Sequence, residues 1–225
     1  MKPWFLEDTG IIERMSEEEL MVLSRICPKY RYIRGDVLYH AGEPATNLHI
    51  IIEGQVKLVA FTPGGKERIF AICGPQDLIG EAFLPQDAHY GADAVALTEI
   101  VTCPVSRQQF LELSLHLPQF VLVFAELVVG YLTACRQQLE DVYAPVKLRL
   151  VKVLLEHAQR FGVSSEDVWV ELRTELSHDE LAAMIGATRV SVLLAMAELR
   201  KQGLLESGHR HYRLHAPALE TLLEG

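Results

Sequence analysis

Residues suited to binding a polyanion are concentrated in the segment 177–201, near the end of the chain. Ser177 can cap one short helix together with Glu180 three positions later, and Thr188 can cap a second helix. Gly186 lies between the two helices and permits the tight turn that joins such a pair. The spacing therefore predicts a helix-turn-helix.

The two predicted helices span 178–185 and 189–201, and the N-terminus of the second would carry the chemistry. There, backbone amides and the side chains of Thr188, Arg189 and Ser191 can reach phosphates and base edges. With the ribbon that follows, the residues expected to contact DNA are Ser177, His178, Thr188, Arg189, Val190, Ser191, Leu194, Arg200, Lys201, His209 and Arg210.

The second predicted helix would have two different faces, since each residue advances by 100°. The inward residues are Val192, Met196 and Leu199, and the outward residues are Val190, Leu194, Ala197 and Lys201. The apolar outward side chains cannot hydrogen-bond to a base, so they either touch thymine methyl groups or dock another protein. Both interpretations stay open.

Net charge separates this end of the chain from the rest. The protein has 225 residues and a formal charge of −9. Residues 1–144 hold 11 basic and 19 acidic residues, whereas residues 145–225 hold 10 and 11. The stretch 188–213 holds five basic residues and two acidic ones. Because acidic surfaces repel nucleic acid, only the C-terminal end is suited to contact DNA.

The first half of the chain has the pattern of a small barrel. A capped helix is predicted at 16–26. After Pro28 come short segments rich in Val, Ile, Tyr and Phe, at 29–34, 37–40, 47–52, 55–61, 66–72 and 94–105. Pro63-Gly64-Gly65 supplies a hairpin turn between two of them. Six or more strands at this spacing predict a barrel or jelly roll.

Helical periodicity follows, first at 107–115 and then over 118–143. The longer helix carries a heptad seam, with apolar residues at alternating spacings of four and three: Val121, Ala125, Val128, Leu132, Cys135, Leu139 and Val142. A helix of about 39 Å is too long to be covered by one small barrel, so the heptad seam predicts homodimerisation. The alternative is a helix lying on its own barrel, because Phe124, Leu127 and Tyr131 widen the apolar face.

Ala144-Pro145 interrupts this helix, because proline removes a backbone donor and disfavours helical geometry in the preceding residue. It is the predicted domain boundary and hinge. Beyond it the pattern predicts a helix at 146–161, a strand at 168–173, a β-ribbon across 204–214 and a final helix at 217–223. A helix-turn-helix followed by such a ribbon indicates a winged DNA-binding module.

Several motifs together resemble the CRP/FNR family of transcription regulators. They are Gly35-Asp36-Val37-Leu38-Tyr39, Gly42-Glu43-Pro44, the run from Leu48 to Leu58, the helix at 118–143 and the module at 177–214. The resemblance covers nearly the whole chain and implies an α+β fold. Its parts would be an N-terminal double-stranded β-roll, similar to cyclic-nucleotide-binding domains, at 1–117; a dimerisation helix and hinge at 118–144; and a winged helix-turn-helix at 145–225. The resemblance also implies a homodimer that binds double-stranded DNA and works with RNA polymerase.

The chain departs from this family at the effector pocket. In members that bind cyclic AMP, Gly80-Glu81 would meet the ribose and phosphate, and an arginine–serine pair would hold the cyclic phosphate. Here Tyr90-Gly91 replaces that pair, and no Lys or Arg occurs between Arg68 and Arg107. A buried phosphate without a guanidinium is costly, so we expect no control by cyclic AMP. The degenerate pocket is predicted to comprise Gly80, Glu81, Tyr90, Gly91, Phe124, Leu127, Val128 and Tyr131.

The apolar residues of this pocket on the long helix replace a polar nucleotide contact, so we expect DNA binding without an added effector. Two rivals stay open: a sensor of the same fold for haem, a gas or an apolar metabolite, and a protein-interaction module that does not bind DNA. No nucleophile–base pair, phosphate loop or metal cluster has recognisable spacing. We therefore expect neither an enzyme nor a bound metal or cofactor.

The remaining reactive residues fit this interpretation. The four cysteines, Cys27, Cys73, Cys103 and Cys135, are scattered and are expected to be buried thiols. Lone histidines of the first half, such as His40, His49, His89 and His116, are expected to be satisfied polar residues rather than haem ligands. The pair His209 and His211 could bind metal or lie against phosphate. Without a long apolar run near its N-terminus, the protein is expected in the cytoplasm, with no membrane partner.

Overall fold

The computed structural model describes residues 28–166, 168–173, 176–208 and 211–224. Outside these ranges lie the helix expected at 16–26, Cys27, His209 and Arg210. The chain divides into two compact units, the first ending at Cys135 and the second beginning at Arg136. The domain limits expected from the sequence stay a prediction.

The first unit is built on short strands in two antiparallel sheets. The strands are β1 Tyr30–Tyr32, β2 Val37–Tyr39, β3 Asn47–Glu53, β4 Val56–Phe61, β5 Glu67–Cys73, β6 Leu78–Ile79, β7 Asp93–Ala96 and β8 Ile100–Ser106. One sheet has the order β1-β8-β3-β6 and the other β2-β7-β4-β5. Both contribute to one apolar core, which includes Leu48, Ile51 and Val56. The expected β-roll is confirmed.

The single strand expected at 94–105 is wrong, because the chain forms β7 and β8 there, in different sheets. Between them the chain turns at Leu97, whose amide donates to the Gln55 carbonyl at 2.8 Å. Gly54 allows this close approach, since a Cβ at that position would lie 2.1 Å from the Glu99 carbonyl oxygen. Because this corner depends on a contact between residues distant in the sequence, the local pattern of apolar residues does not predict it.

Two helices follow the strands, α1 Arg107–His116 and α2 Pro118–Asp141, within two residues of the bounds predicted. Ser106 begins α1 with a capping box that includes Gln109. Four aromatic rings then join the helices to the barrel core: Phe83, Phe110, Phe120 and Phe124. Their neighbouring ring centroids lie between 5.1 and 5.9 Å apart. Burial of each ring is worth roughly 1.5–3 kcal/mol, so the start of α2 is firmly held.

The apolar residues of α2 divide between two faces. Phe120 and Phe124 are buried in the first unit, whereas every residue of the heptad seam except Val121 is exposed. Leu132 is 52% exposed and Leu139 is 70% exposed. Among the described residues, α2 is also the one single helix whose length and composition would suit a membrane span. A helix that packs against protein on two of its faces has as many apolar residues as a membrane-spanning helix.

The second unit combines helices with one small sheet. Its elements are α3 Val146–Phe161, β9 Gly162–Glu166, β10 Trp169–Arg173, α4 His178–Ile185, α5 Arg189–Lys201, β11 Leu205–Gly208, β12 His211–His215 and α6 Ala216–Glu224. The strands form a sheet in the order β11-β12-β10-β9. Every element expected after residue 145 is confirmed. Strand β9 was not expected, because Gly-Val-Ser-Ser-Glu offers one apolar residue and no alternation.

Cysteine chemistry departs from the expectation of four buried thiols. Cys73 is a buried free thiol, as expected. Cys103 is also buried. Cys135 is free but exposed, so the expectation was wrong at this position. Cys135 belongs to the exposed heptad seam, which the single chain does not cover.

Candidate DNA-binding surface and pocket

The helix-turn-helix forms as its capping residues predict. Ser177 Oγ accepts a hydrogen bond from the Glu180 amide at 3.2 Å, and the Ser177 amide donates to the Glu180 carboxylate at 2.8 Å. Gly186 adopts a left-handed φ of 62°, and the chain bends by 100° between α4 and α5. The two inner faces are closed by buried residues: Leu181, Ala182, Ile185, Val192, Met196 and Leu199. This packing determines which face of α5 is exposed.

The polar side chains expected to read bases are partly engaged within the protein. Thr188 Oγ1 accepts a hydrogen bond from the Ser191 amide at 3.1 Å and lies 2.9 Å from Ser191 Oγ. Arg189 Nε lies 3.9 Å from the Asp179 carboxylate, and both side chains are more than half exposed. Such an exposed pair is worth at most about 1 kcal/mol, so Arg189 can leave it for a ligand. Sequence reasoning missed Asp179, because only the fold brings the starts of α4 and α5 together.

An apolar stripe runs along the exposed face of α5. Val190 is 65% exposed and Leu194 is 67% exposed, which confirms the outward side expected from the helical period. Ala197 and Lys201 are exposed on the same side. Leu193, at 37% exposure, extends the stripe and was not expected there. Three exposed leucine and valine side chains within five residues form an apolar patch, which indicates a contact with something outside the second unit.

The remaining expected DNA contacts are dispersed around α5. Arg200 is exposed and donates to Ser207 Oγ at 3.3 Å, at the base of the wing. Lys201 is exposed at the end of α5, and His178 is half-buried at the first position of α4. His209 and Arg210 lie outside the described residues, so their expected contacts stay predictions.

The wing is the hairpin of β11 and β12, and its charge is partly balanced by carboxylates. Arg213 donates to Glu206 at 2.8 Å and lies 3.9 Å from Glu171. Its guanidinium sits 5.2 Å from the centre of the Trp169 ring. His211 Nε2 lies 3.6 Å from the same Glu171 carboxylate. Nearby carboxylates therefore offset part of the positive charge of the wing, including Glu171, which lies outside the stretch 188–213.

In the first unit, Tyr90 fills the space beside Gly80, where the sequence predicts the degenerate pocket. Tyr90 is only 6% exposed. Its hydroxyl donates to the Asn47 carbonyl at 2.9 Å and accepts from the Asn47 amide at 3.1 Å. Its ring stacks on Tyr39 with centroids 3.8 Å apart. A Cβ on Gly80, which has φ of 84°, would lie 3.1 Å from this ring, so the phenol lies directly against the Gly80-Glu81 turn.

The predicted members of the pocket on α2 play separate parts. Phe124 is buried and makes edge contacts with Phe83 and Phe110. Tyr131 donates its hydroxyl to the Leu78 carbonyl at 2.7 Å, two residues before Gly80. Burial raises the pKa of Tyr131 well above that of an exposed tyrosine, and nearby Cys73 adds to the shift. Leu127 is half-buried, whereas Val128 is exposed and belongs to the heptad seam. Gly91 is exposed beside Tyr90.

Two further buried side chains were not expected in the pocket: Tyr39, which stacks on Tyr90, and His49, which lies beside Tyr39. Their ring centroids lie 5.7 Å apart. Burial lowers the pKa of His49 to about 4, so the imidazole is neutral, and its Nδ1 has no hydrogen-bond partner among the residues that the structure describes. The expectation that lone histidines are satisfied is wrong at His49. The apolar residues on both sides of His49 in β3 were the available signal, because a run of this kind predicts a strand in the core of a β-sandwich.

The electrostatics of this pocket disfavour an anion. Burial, and next the Glu81 carboxylate, raise the pKa of Tyr39 above its usual range, so the phenol stays protonated. Glu81 itself is exposed at the turn. Within the part of the chain that the structure describes, no group of three His, Cys, Asp or Glu is arranged to hold a metal ion.

Comparison with known proteins agrees with this architecture. Residues 30–116 match the cyclic nucleotide-binding domain, and residues 148–222 match the Crp-like helix-turn-helix domain. A CRP-like cAMP-activated global transcriptional regulator of Mycobacterium tuberculosis is 27% identical over 199 residues, which cover 88% of each chain. The cyclic AMP receptor protein of Thermus thermophilus is 24% identical over 90% of this chain and 91% of its own.

Solved structures show the same fold. A CooA mutant from Carboxydothermus hydrogenoformans superposes with a TM-score of 0.81 at 21% identity, over 99% of this chain and 100% of its own. A CRP/FNR-family transcriptional regulator from Thermus thermophilus gives 0.73 at 24% identity, over 88% and 99%. A cyclic-nucleotide-binding-like domain, a long helix and a DNA-binding helix-turn-helix thus follow one another in the order typical of these regulators. The chain belongs to the CRP/FNR family of transcription regulators.

Proposed function

We propose that this regulator is a homodimer that binds specific DNA sequences through α5 without cyclic AMP or any other added effector. The observation that carries the proposal is the phenol of Tyr90. It fills the place beside Gly80 and forms hydrogen bonds of 2.9 and 3.1 Å with the two backbone groups of Asn47. A relative of similar length is named as cAMP-activated, so the proposal is a departure from that relative's control.

A cyclic nucleotide would face two costs in this pocket. It would have to displace Tyr90, breaking the stack on Tyr39 and two hydrogen bonds, each worth about 0.5–1.5 kcal/mol. Its phosphate would then lie in a segment with no Lys or Arg from residue 69 to residue 106, close to the Glu81 carboxylate. A desolvated anion without a cation is unfavourable by several kcal/mol more.

Independence from an effector follows from how α2 is held. In the first unit, Phe124 packs on Phe83 and Phe110, and Tyr131 is hydrogen-bonded to the Leu78 carbonyl. These contacts connect α2 to the Gly80 turn without any ligand. Each buried apolar side chain contributes roughly 1.5–3 kcal/mol. The contacts of α2 therefore suffice to bias an equilibrium between an active and an inactive state toward the active state without a ligand.

Dimerisation is supported by the heptad seam. Its residues from Ala125 to Val142 are exposed in the single chain, although most are apolar. Seven positions at spacings of four and three match the period of a two-stranded coiled coil. A second copy with the same seam would bury these side chains symmetrically.

In such a dimer each α5 would enter a major groove, with two half-sites about 34 Å apart on an imperfect palindrome. Thr188, Arg189 and Ser191 lie at the start of α5 and would read bases, while Arg200 and Lys201 would contact phosphates. RNA polymerase is the further partner that the family implies, and the cytoplasm is the compartment in which these partners meet.

Isothermal titration calorimetry tests the departure from cyclic-nucleotide control. We expect no heat of binding when cyclic AMP or cyclic GMP is added at micromolar concentration. The Thermus thermophilus cyclic AMP receptor protein, titrated alongside, checks that the assay detects binding. A dissociation constant below about 10 μM, equivalent to about −6.8 kcal/mol, would show that Tyr90 does not exclude the nucleotide.

A second candidate function is a sensor for an uncharged ligand, and one observation favours it. The Nδ1 atom of His49 is buried beside the ring of Tyr39 and has no hydrogen-bond partner in the described part of the chain. A neutral ligand that donates a hydrogen bond would satisfy it. Native mass spectrometry of freshly purified protein would support this function by an added mass that His49→Leu abolishes. A bare protein mass in both samples would contradict it.

A further inference from the structure

The most exposed apolar side chains on the DNA-facing part of the second unit have no role in the fold. Val190 and Leu194 lie one helical turn apart on α5 at 65% and 67% exposure, whereas Val192 and Met196 on the inner face of the helix are buried. An exposed leucine costs free energy in water and contributes nothing to packing. Two such side chains, one helical turn apart on the same face, point to an external apolar contact.

The polar groups beside this stripe are less available for reading bases than the sequence indicated. Thr188 and Ser191 are joined by their own hydroxyl contact of 2.9 Å. Arg189 is drawn toward Asp179 at 3.9 Å. The stripe therefore adds exposed apolar surface beside polar groups that are already partly engaged within the protein.

The surroundings of the stripe favour nucleic acid over protein as its partner. The helix carries three basic residues and one acidic residue, and Arg189, Arg200 and Lys201 are all exposed around it. The single acidic residue, Glu198, is already paired with Lys147 at 2.7 Å. An apolar stripe bordered by cations matches the major groove, where apolar methyl groups lie between rows of phosphates.

We propose that Val190 and Leu194 read the C5-methyl groups of thymines in the major groove. Thymine is the one base that presents a methyl group there, so each contact selects thymine without a hydrogen bond. Arg189 would add at most one guanine contact in each half-site. The inference rests on the proposed binding of DNA by α5 and specifies which bases that helix recognises.

Replacement of thymine by uracil tests the inference directly, because it removes only the methyl group. A duplex is first selected from a random pool with the full-length protein. Each thymine of one half-site is then replaced in turn by uracil, and affinity is measured by fluorescence anisotropy at constant salt. We expect about fourfold weaker binding at one or two positions, as the loss of one buried methyl group predicts.

The same scan on variants assigns each methyl group to a side chain. In Leu194→Ala or Val190→Ala, uracil should cost nothing at the position that the missing side chain contacted. Both residues are exposed and alanine favours helix, so the variants should fold. The matched controls are Leu223→Ala and Val163→Ala, which truncate exposed residues of the same unit at 41% and 70% exposure. They should keep the wild-type uracil profile.

Two outcomes separate this inference from the function on which it rests. A flat uracil scan on a duplex that is still bound specifically would overturn the methyl contacts and leave DNA binding intact. In that case, unchanged affinity of both α5 variants would assign the stripe to a protein partner. Failure to enrich any duplex would instead overturn the proposed binding of DNA.

Discussion

Replacement of Tyr90 by phenylalanine isolates the hydroxyl that closes the degenerate pocket. The change keeps the ring that stacks on Tyr39 but leaves the Asn47 amide and carbonyl without the partners that they have at 3.1 and 2.9 Å. Each of these two backbone groups is only partly buried, so leaving it unpaired should cost about 1 kcal/mol, the low end of the usual range, and the total loss should be about 2 kcal/mol. In a unit of this size, such a loss lowers the melting temperature by roughly 4–8 °C.

Differential scanning calorimetry of the full-length protein measures this shift, because it can resolve the transitions of the two units. Tyr30→Phe is the matched control, since Tyr30 lies in the same unit and is 51% exposed. We expect the control to melt within about 1 °C of the wild type. Equal melting temperatures for the two variants would refute the reasoning, because the Tyr90 hydroxyl would then contribute nothing to closing the pocket.

Three further predictions follow from burial and charge. Leu132→Glu should leave the protein monomeric in analytical ultracentrifugation, because it places a charge in the heptad seam, whereas Leu115→Glu on α1 should keep the proposed dimer. A dimeric Leu132 variant would contradict the seam as the dimer interface. Burial lowers the pKa of His49 to about 4, so its contribution to stability is present above pH 6.5 and is lost as pH falls toward 4. Urea titrations at several pH values should show that this pH dependence of the free energy of unfolding disappears in His49→Leu. Burial raises the pKa of Glu156 to about 7, so its contribution to stability is present below pH 4.5 and is lost as pH rises through 7. Glu156→Gln should remove this pH dependence of the free energy of unfolding. An unchanged pH dependence would place the carboxyl in solvent.

The elements of the second unit other than β9 could be predicted because their signals are local. Ser177 with Glu180, and Thr188 with its own helix, begin α4 and α5 at the residues expected. Capping depends on side chains three positions apart, which a sequence shows directly. The exposed face of α5 followed from the helical period for the same reason.

The interior of the pocket could be predicted only in part. The sequence showed that no basic residue lies between Arg68 and Arg107 and that Tyr90 stands at the position of the arginine–serine pair. It did not show which residues Tyr90 contacts. Tyr39, Asn47 and Tyr90 come from separate segments that meet only when the two sheets close. The pairing of Arg189 with Asp179 escaped prediction because the bend of the helix-turn-helix creates it. Local patterns predict elements and their faces, whereas contacts between distant segments depend on the complete fold.

DNA selection with ligand-free protein tests the central claim most directly. The protein is unfolded, dialysed to remove every small molecule, refolded and used to select duplexes from a random pool. We predict an enriched imperfect palindrome, bound with the same affinity in the absence and in the presence of cyclic AMP. Enrichment only after cyclic AMP or a cell extract is added would contradict the claim, because it would show that the closed pocket still requires an effector.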